Sequence, residues 1–408
     1  MRIARYLGPI TVLALGAQFL AMPGTAPAQR SGIVRLPSIQ SFAMGSPTAG
    51  WALTTSAILN TTSGGSHWRN VTPSGVAVAQ TSMLDALDVR TAWVTASRLA
   101  TRALLLIHTT DGGRTWRSYP VTLPNDAAGI GRLTFADAQH GWLLVSLGAG
   151  AGSEGVQILR TADGGAHWAT VSRTASSAPS PGSLPLSGIK TGISFRDATT
   201  GWVTAAVAGP AGDTWLYMTH DGGHTWQHQN LVLPVQYTQV VPAIYPPQFF
   251  APDDGVLPVI LNAPAAAPAI DFYTTRDGGA TWSSTMPLPY NSTAGSPTWG
   301  FADRDHGWVT WGTTLQVTTD GGRRWRALTP NRSLQGITQL DFVSAQLGWA
   351  LLTPTAVRCV GECLGQHSLL GSSLLLRTGD GGHTWSRLPA SVTYPTGGST
   401  RSEDVTSK

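Results

Sequence analysis

Lysine, glutamate and cysteine are almost missing from this 408-residue chain: Lys190 and Lys408, Glu154, Glu362 and Glu403, and Cys359 and Cys363 are the only ones. Two cysteines cannot staple a fold of this length, and no further ligands at a recognisable spacing accompany them, which excludes a structural metal site. Charged residues make up only 12% of the chain, and the formal net charge of +4 is carried by scattered Arg rather than by a cationic run. That pattern argues against a nucleic-acid partner. No heptad or sustained helical period is present, and beyond residue 30 no apolar run is long enough to cross a bilayer. Stable membrane insertion of the mature chain is therefore not expected. No G-x-S-x-G elbow, phosphate loop or dinucleotide fingerprint stands in a credible context, so no cofactor is expected.

The N-terminus carries Arg2 and Arg5, an apolar stretch from Tyr6 to Met22, and then Ala26-Pro27-Ala28. Positive, hydrophobic and small-residue regions in that order read as a secretory signal peptide over residues 1–28, cleaved after Ala28. A retained anchor is the competing reading, but Gly8, Pro9 and Gly16 interrupt the apolar run. A secreted or periplasmic location follows, and export to an oxidising compartment predicts a local Cys359–Cys363 disulfide. The stretch 394–408, rich in Gly, Ser, Thr and charge, reads as a disordered tail.

What the chain has in abundance is Gly, Pro and Trp, at 47, 27 and 16 residues. They are not scattered. One motif recurs seven times, from TTSGGSHW ending at Trp68, through TTDGGRTW, TADGGAHW, THDGGHTW, TRDGGATW and TTDGGRRW, to TGDGGHTW ending at Trp385. Its third position is Ser63, Asp111, Asp163, Asp221, Asp277, Asp320 and Asp380, a mean spacing of about 53 residues. Asp-Gly-Gly supplies residues that tolerate positive φ, as a tight hairpin requires, and the carboxylate can accept N–H bonds inside the turn. The flanking Thr and Trp then stand on strands, and the Trp can pack over the hairpin. These Asp residues are thus structural, not catalytic.

A second landmark precedes each hairpin: Gly50-Trp51, Ala92-Trp93, Gly141-Trp142, Gly201-Trp202, Gly307-Trp308 and Gly348-Trp349, with Gly255-Val256 as the odd member. Several follow an apolar strand and turn, as in Phe135-Ala136-Asp137 before Gly141. Thirteen of the 16 Trp fall in these two slots, leaving Trp215, Trp299 and Trp311 outside. Each unit reads as four strands, and units of this length cannot bury both faces alone. The expectation is an all-β, single seven-bladed β-propeller over residues 31–393, a monomer whose Asp-Gly-Gly hairpins lie on the outer rim.

The hairpin resembles the Asp box of sialidases and related propellers, where it is structural. The longer unit F-x-D-x-x-x-G-W followed by T-x-D-G-G-x-T-W resembles the photosystem II stability and assembly factor family and its bacterial BNR-repeat relatives. The resemblance covers nearly the whole mature chain. It implies an exported seven-bladed propeller that acts as an assembly scaffold rather than an enzyme, with another protein or protein complex as partner.

The alternative is a carbohydrate-active or glycan-binding propeller. A sialidase carries an x-R-x-P motif, and Val34-Arg35-Leu36-Pro37 fits it, but that chemistry also needs an arginine triad and a Tyr/Glu pair that three Glu in loops and tail do not supply. A glycosidase of two aspartates would have to draw on Asp253, Asp254, Asp303 or Asp305, all at strand turns. His220, His224 and His228 have helical metal spacing, but Asp221-Gly222-Gly223 between them breaks the helix. For partner binding, the aromatics outside the repeat slots stand out: Tyr245, Phe249 and Phe250 in a Pro-rich stretch, with Trp299 and Trp311 in the next unit. Loop packing against the sheet is the competing reading for these.

Overall fold

Strands follow the repeat closely. The computed structural model describes residues 34–35, 38–101, 103–174, 181–206, 212–262, 267–353, 373–389, 391–393 and 402–404. The expected signal peptide, Cys359, Cys363 and Glu362 lie outside the described residues. Among the described residues the only helical elements are two single 3₁₀ turns, Val235–Tyr237 and Ser292–Ala294, and no helix is long and apolar enough to cross a membrane.

One unit shows the plan. Gly129–Phe135, Gly141–Gly150, Ser153–Thr161 and Ala169–Arg173 form an antiparallel sheet in sequence order. The same order recurs in the sheet from Thr298–Phe301 to Arg326–Leu328 and in the sheet from Ile337–Phe342 to Ser386–Arg387. The first unit, Ile39–Met44 to His67–Asn70, gains Ser391–Thr393, which lies parallel to its fourth strand with His67 opposite Ser391, and then Val34–Arg35. The second unit's fourth strand, Trp116–Pro120, is extended by Ser402–Asp404, also parallel, within the stretch read from sequence as a disordered tail.

The described strands make six hydrogen-bonded sheets, whereas seven separate ones were expected. The units beginning at Ile189–Phe195 and Gln248–Phe249 share one nine-stranded sheet. Val241–Ile244 pairs along Gly255–Asn262 and also touches the preceding unit through Ala206 opposite Ala243. The insertion at Tyr245-Pro246-Pro247 interrupts this first strand, since proline has no N–H for the ladder.

The Gly-Trp landmark has a steric cause. In each unit the Gly pairs across the first two strands with the residue six positions earlier: Phe135 with Gly141, Phe195 with Gly201, Phe249 with Gly255, Phe301 with Gly307, Phe342 with Gly348. The phenyl ring lies over the Gly, and a Cβ on Gly201 would stand 2.4 Å from Phe195 Cδ1. The second unit has Ala92 instead of Gly because its partner is Ala86, not Phe. The adjoining Trp then stacks on the ring of the next unit: Trp142 on Phe195 at 3.5 Å and Trp308 on Phe342 at 3.5 Å. Its indole N–H reaches further, to the first Gly carbonyl of the next unit's hairpin, from Trp93 to Gly164 (2.9 Å), Trp142 to Gly222 (2.8 Å) and Trp308 to Gly381 (2.7 Å). Trp349 donates to Gly64 O at 2.9 Å, and Asp341 accepts the Met44 amide at 2.6 Å. These contacts join the last unit to the first and close the ring.

Candidate functional site

The seven hairpins are built as their residues dictate. Gly222 and Gly223 have φ of +75° and +100°, a conformation that a side chain would strain. Asp221 Oδ1 accepts the Thr219 hydroxyl and the His224 and Thr225 amides at 2.8–2.9 Å, while Oδ2 accepts the Thr225 hydroxyl at 2.6 Å. Asp111 and Asp163 accept the corresponding groups, as do Asp277, Asp320 and Asp380. Slight burial works to raise the Asp221 pKa, but the bonds from Thr225, Thr219 and His224 outweigh it and hold the group at about 2. Its lone pairs are committed to the turn. Ser63 does the same with its hydroxyl, accepting the His67 amide at 2.9 Å.

Most of the other candidate carboxylates are also engaged, and the exception among them is Asp253, whose side chain makes no hydrogen bond or ion pair among the described residues. Asp303 accepts the Asp305 and His306 amides and faces the His306 ring at 2.9 Å. Arg304 holds Asp254 at 3.4 Å and Asp305 at 3.0 Å on one guanidinium. Glu154 binds the Ser146 hydroxyl (2.6 Å) and the Lys190 amide (2.7 Å). His220, His224 and His228 are exposed on a hairpin, and no group of three or more metal-ligating side chains occurs among the described residues.

The aromatic candidates pack against the core. Phe249, Trp299 and Trp311 are 7%, 4% and 8% exposed, and Tyr245 and Phe250 pack partly buried against the same core cluster as the two tryptophans. Tyr245 meets Trp299 edge-on at 5.1 Å, and Phe249 stacks on Trp202 at 5.0 Å. Phe249, Trp299 and Trp311 are therefore interior, whereas Tyr245 and Phe250 are half-buried. Phe249 is the fifth unit's own ring over Gly255, and its position six residues before that Gly was the signal for it.

One site escaped the motif reading altogether. Lys190 Nζ donates to the carbonyls of Glu154, Pro185, Leu186, Ser187 and Gly188 at 2.9–3.1 Å and lies 4.7 Å from the centre of the Trp215 ring. Burial pushes its pKa down to about 8, partly opposed by Glu154, so it remains an ammonium at neutral pH. The loop 185–188 is wrapped around a fixed cation, which ties the third unit's long hairpin to the fourth unit.

Sheets of this kind, packed one against the next in a closed ring, define a β-propeller. The chain is similar to the structure of YCF48 bound to D1 peptide, with 15% identity over 81% of this chain and 96% of that one, at a TM-score of 0.51. YCF48 from Cyanidioschyzon merolae gives 16% identity over 79% and 95% at a TM-score of 0.49, and the GH74 xyloglucanase from Xanthomonas campestris 14% over 88% and 69% at 0.35. At these identities the likeness is one of fold. No family model matches the chain, and no curated protein matches it.

Proposed function

We propose that this chain is an exported seven-bladed propeller that binds a segment of another protein and serves as an assembly scaffold without catalysis of its own. The observation that carries the reading is the likeness in fold to YCF48 bound to D1 peptide, a propeller in complex with a peptide. The blade count follows from reading the nine-stranded sheet as two blades, one for each Gly-Gly hairpin it contains. The seven hairpins serve as Asp boxes whose carboxylates hold turns. A glycosidase needs two carboxyl groups free to act on one bond, and of the candidates Asp254, Asp303 and Asp305 are each bound to neighbouring groups, as is Glu154, which leaves only Asp253 of that set unengaged. Export rests on the reading of the N-terminal segment as a signal peptide, with the mature chain starting near Gln29.

The test is cross-linking of the mature protein in its native envelope, followed by mass spectrometry of what it captures. One reproducible protein complex supports the reading. Release of reducing sugar from xyloglucan or arabinan oligosaccharides by the purified protein would defeat it.

A further inference from the structure

We infer that the rim cleft between the fifth and sixth repeat units takes a carboxylate side chain from an acidic, extended peptide. The inference rests on the protein-binding reading above and gives it a place on the molecule.

At three other junctions that place is filled by a large side chain. The residue just before the hairpin Thr is His108, Arg160 or Arg377 in the second, third and seventh units, and each stacks on its own unit's Trp, at 4.6, 5.8 and 5.8 Å respectively. Their side chains also lie against the first Gly of the next hairpin, within 3.8, 2.9 and 4.0 Å of where a Cβ would stand on Gly164, Gly222 and Gly64. At the fifth junction both side chains are smaller, although Thr274 Cγ2 still lies 3.9 Å from where a Cβ would stand on Gly321. The equivalents are Thr274 and Val256, and a valine side chain has no N–H to reach the Gly321 carbonyl. A half-open cleft of about 250 Å³ results, lined by Thr274, Thr281, Ser283, Asp277, Arg276 and Arg323.

Donors outnumber free acceptors in this cleft. Asp277 already accepts the Thr275 hydroxyl (2.7 Å), the Thr281 amide (2.9 Å) and the Thr281 hydroxyl (2.5 Å). Arg276 makes no hydrogen bond or ion pair among the described residues, and Arg323 has only a 3.4 Å bond to the Asp320 carbonyl. Two guanidinium forks from adjacent hairpins thus face one space, and the partner that matches such forks is a planar oxyanion, bound side-on. Arg324 and Arg326, both exposed, continue the basic surface along the same hairpin.

An extended peptide also has somewhere to lie. The fourth strand, Arg326–Leu328, is the last of its sheet and pairs on one side only. The same edge in the first unit is covered by Ser391–Thr393 running parallel to it. The fold therefore accepts an added strand at this edge, and a peptide placed on Arg326–Leu328 would bring its side chains to the cleft.

The test is fluorescence anisotropy of labelled hexaglutamate with the full mature protein at low salt, beside hexaglutamine and oligogalacturonate. We expect hexaglutamate to bind, R276S/R323S to weaken it by at least about tenfold, and T274M, which fills the cleft without changing charge, to weaken it comparably. R90S/R114S, which removes two exposed rim arginines from the second unit, should change it by less than about twofold. Circular dichroism and tryptophan fluorescence confirm that each variant is folded. Equal losses in the two double variants, unchanged binding in R276S/R323S, or tighter binding of oligogalacturonate would each overturn the inference. Envelope cross-linking separates this from the scaffold reading. Capture of the same partner by R276S/R323S as by wild type overturns the cleft alone, whereas no capture by either protein counts against the scaffold.

Discussion

Replacing Gly201 by Ala adds one methyl group at the most crowded point of the fourth unit. The new Cβ would meet Phe195 Cδ1, Cε1 and Cγ at 2.4–2.6 Å, roughly 1 Å inside ordinary contact. Phe195 cannot swing away, because its ring is stacked on Trp142 at 3.5 Å, nearly parallel, and meets the edge of Trp226 at 6.2 Å. Overpacking of this kind costs about 1–3 kcal/mol. Phe195→Ala alone, emptying a site 2% exposed, should cost about 3–5 kcal/mol. The double variant F195A/G201A reproduces the Ala86 and Ala92 pair that the second unit already uses. It should therefore be no worse than F195A, which leaves a coupling of about 1–3 kcal/mol between the two sites. Urea unfolding followed by tryptophan fluorescence on all four proteins measures it. A G201A protein within about 0.5 kcal/mol of wild type, or a double variant equal to the sum of the singles within that error, would refute the steric account.

Two further outcomes follow from the titrating groups. Burial, with Arg117 nearby, lowers the His108 pKa to about 4, so between pH 6.5 and 4 the unfolded chain binds a proton that the folded chain refuses. Stability is full above pH 6.5 and declines toward pH 4; His108→Gln should remove roughly 2–3 kcal/mol of the loss between pH 7.5 and 4.5, and identical urea midpoint shifts in both proteins would contradict this. Asp221→Ala frees two amides and two hydroxyls of its turn and should cost about 1–2 kcal/mol while leaving partner capture intact, so lost capture at unchanged thermal stability would show that the carboxylate has a role beyond the turn.

The division between what the sequence alone determined and what needed the tertiary structure follows the range of the interactions. Thr219, Asp221, Gly222 and Thr225 satisfy one another within a few residues, so the hairpin could be read from its own letters, and seven copies of it announced a propeller. The spacing also marked Gly201-Trp202, but why glycine stands there depended on seeing Phe195 laid across it. Tyr245, Trp299 and Trp311 looked like a partner surface because they fall outside the repeat slots. Whether an aromatic faces solvent or a neighbouring sheet is decided by packing, and these face the sheet. Lys190 gave no motif at all, since its partners are backbone carbonyls that carry no sequence signal. The junctions went the same way: Trp349 meets Gly64 across 285 residues, and the cleft at Arg276 and Arg323 exists because Thr274 and Val256 are small where the second, third and seventh units place larger side chains. Local turn chemistry is written in adjacent residues, but the fit of one sheet against the next is a property of shape, and it appears only when the ring is closed.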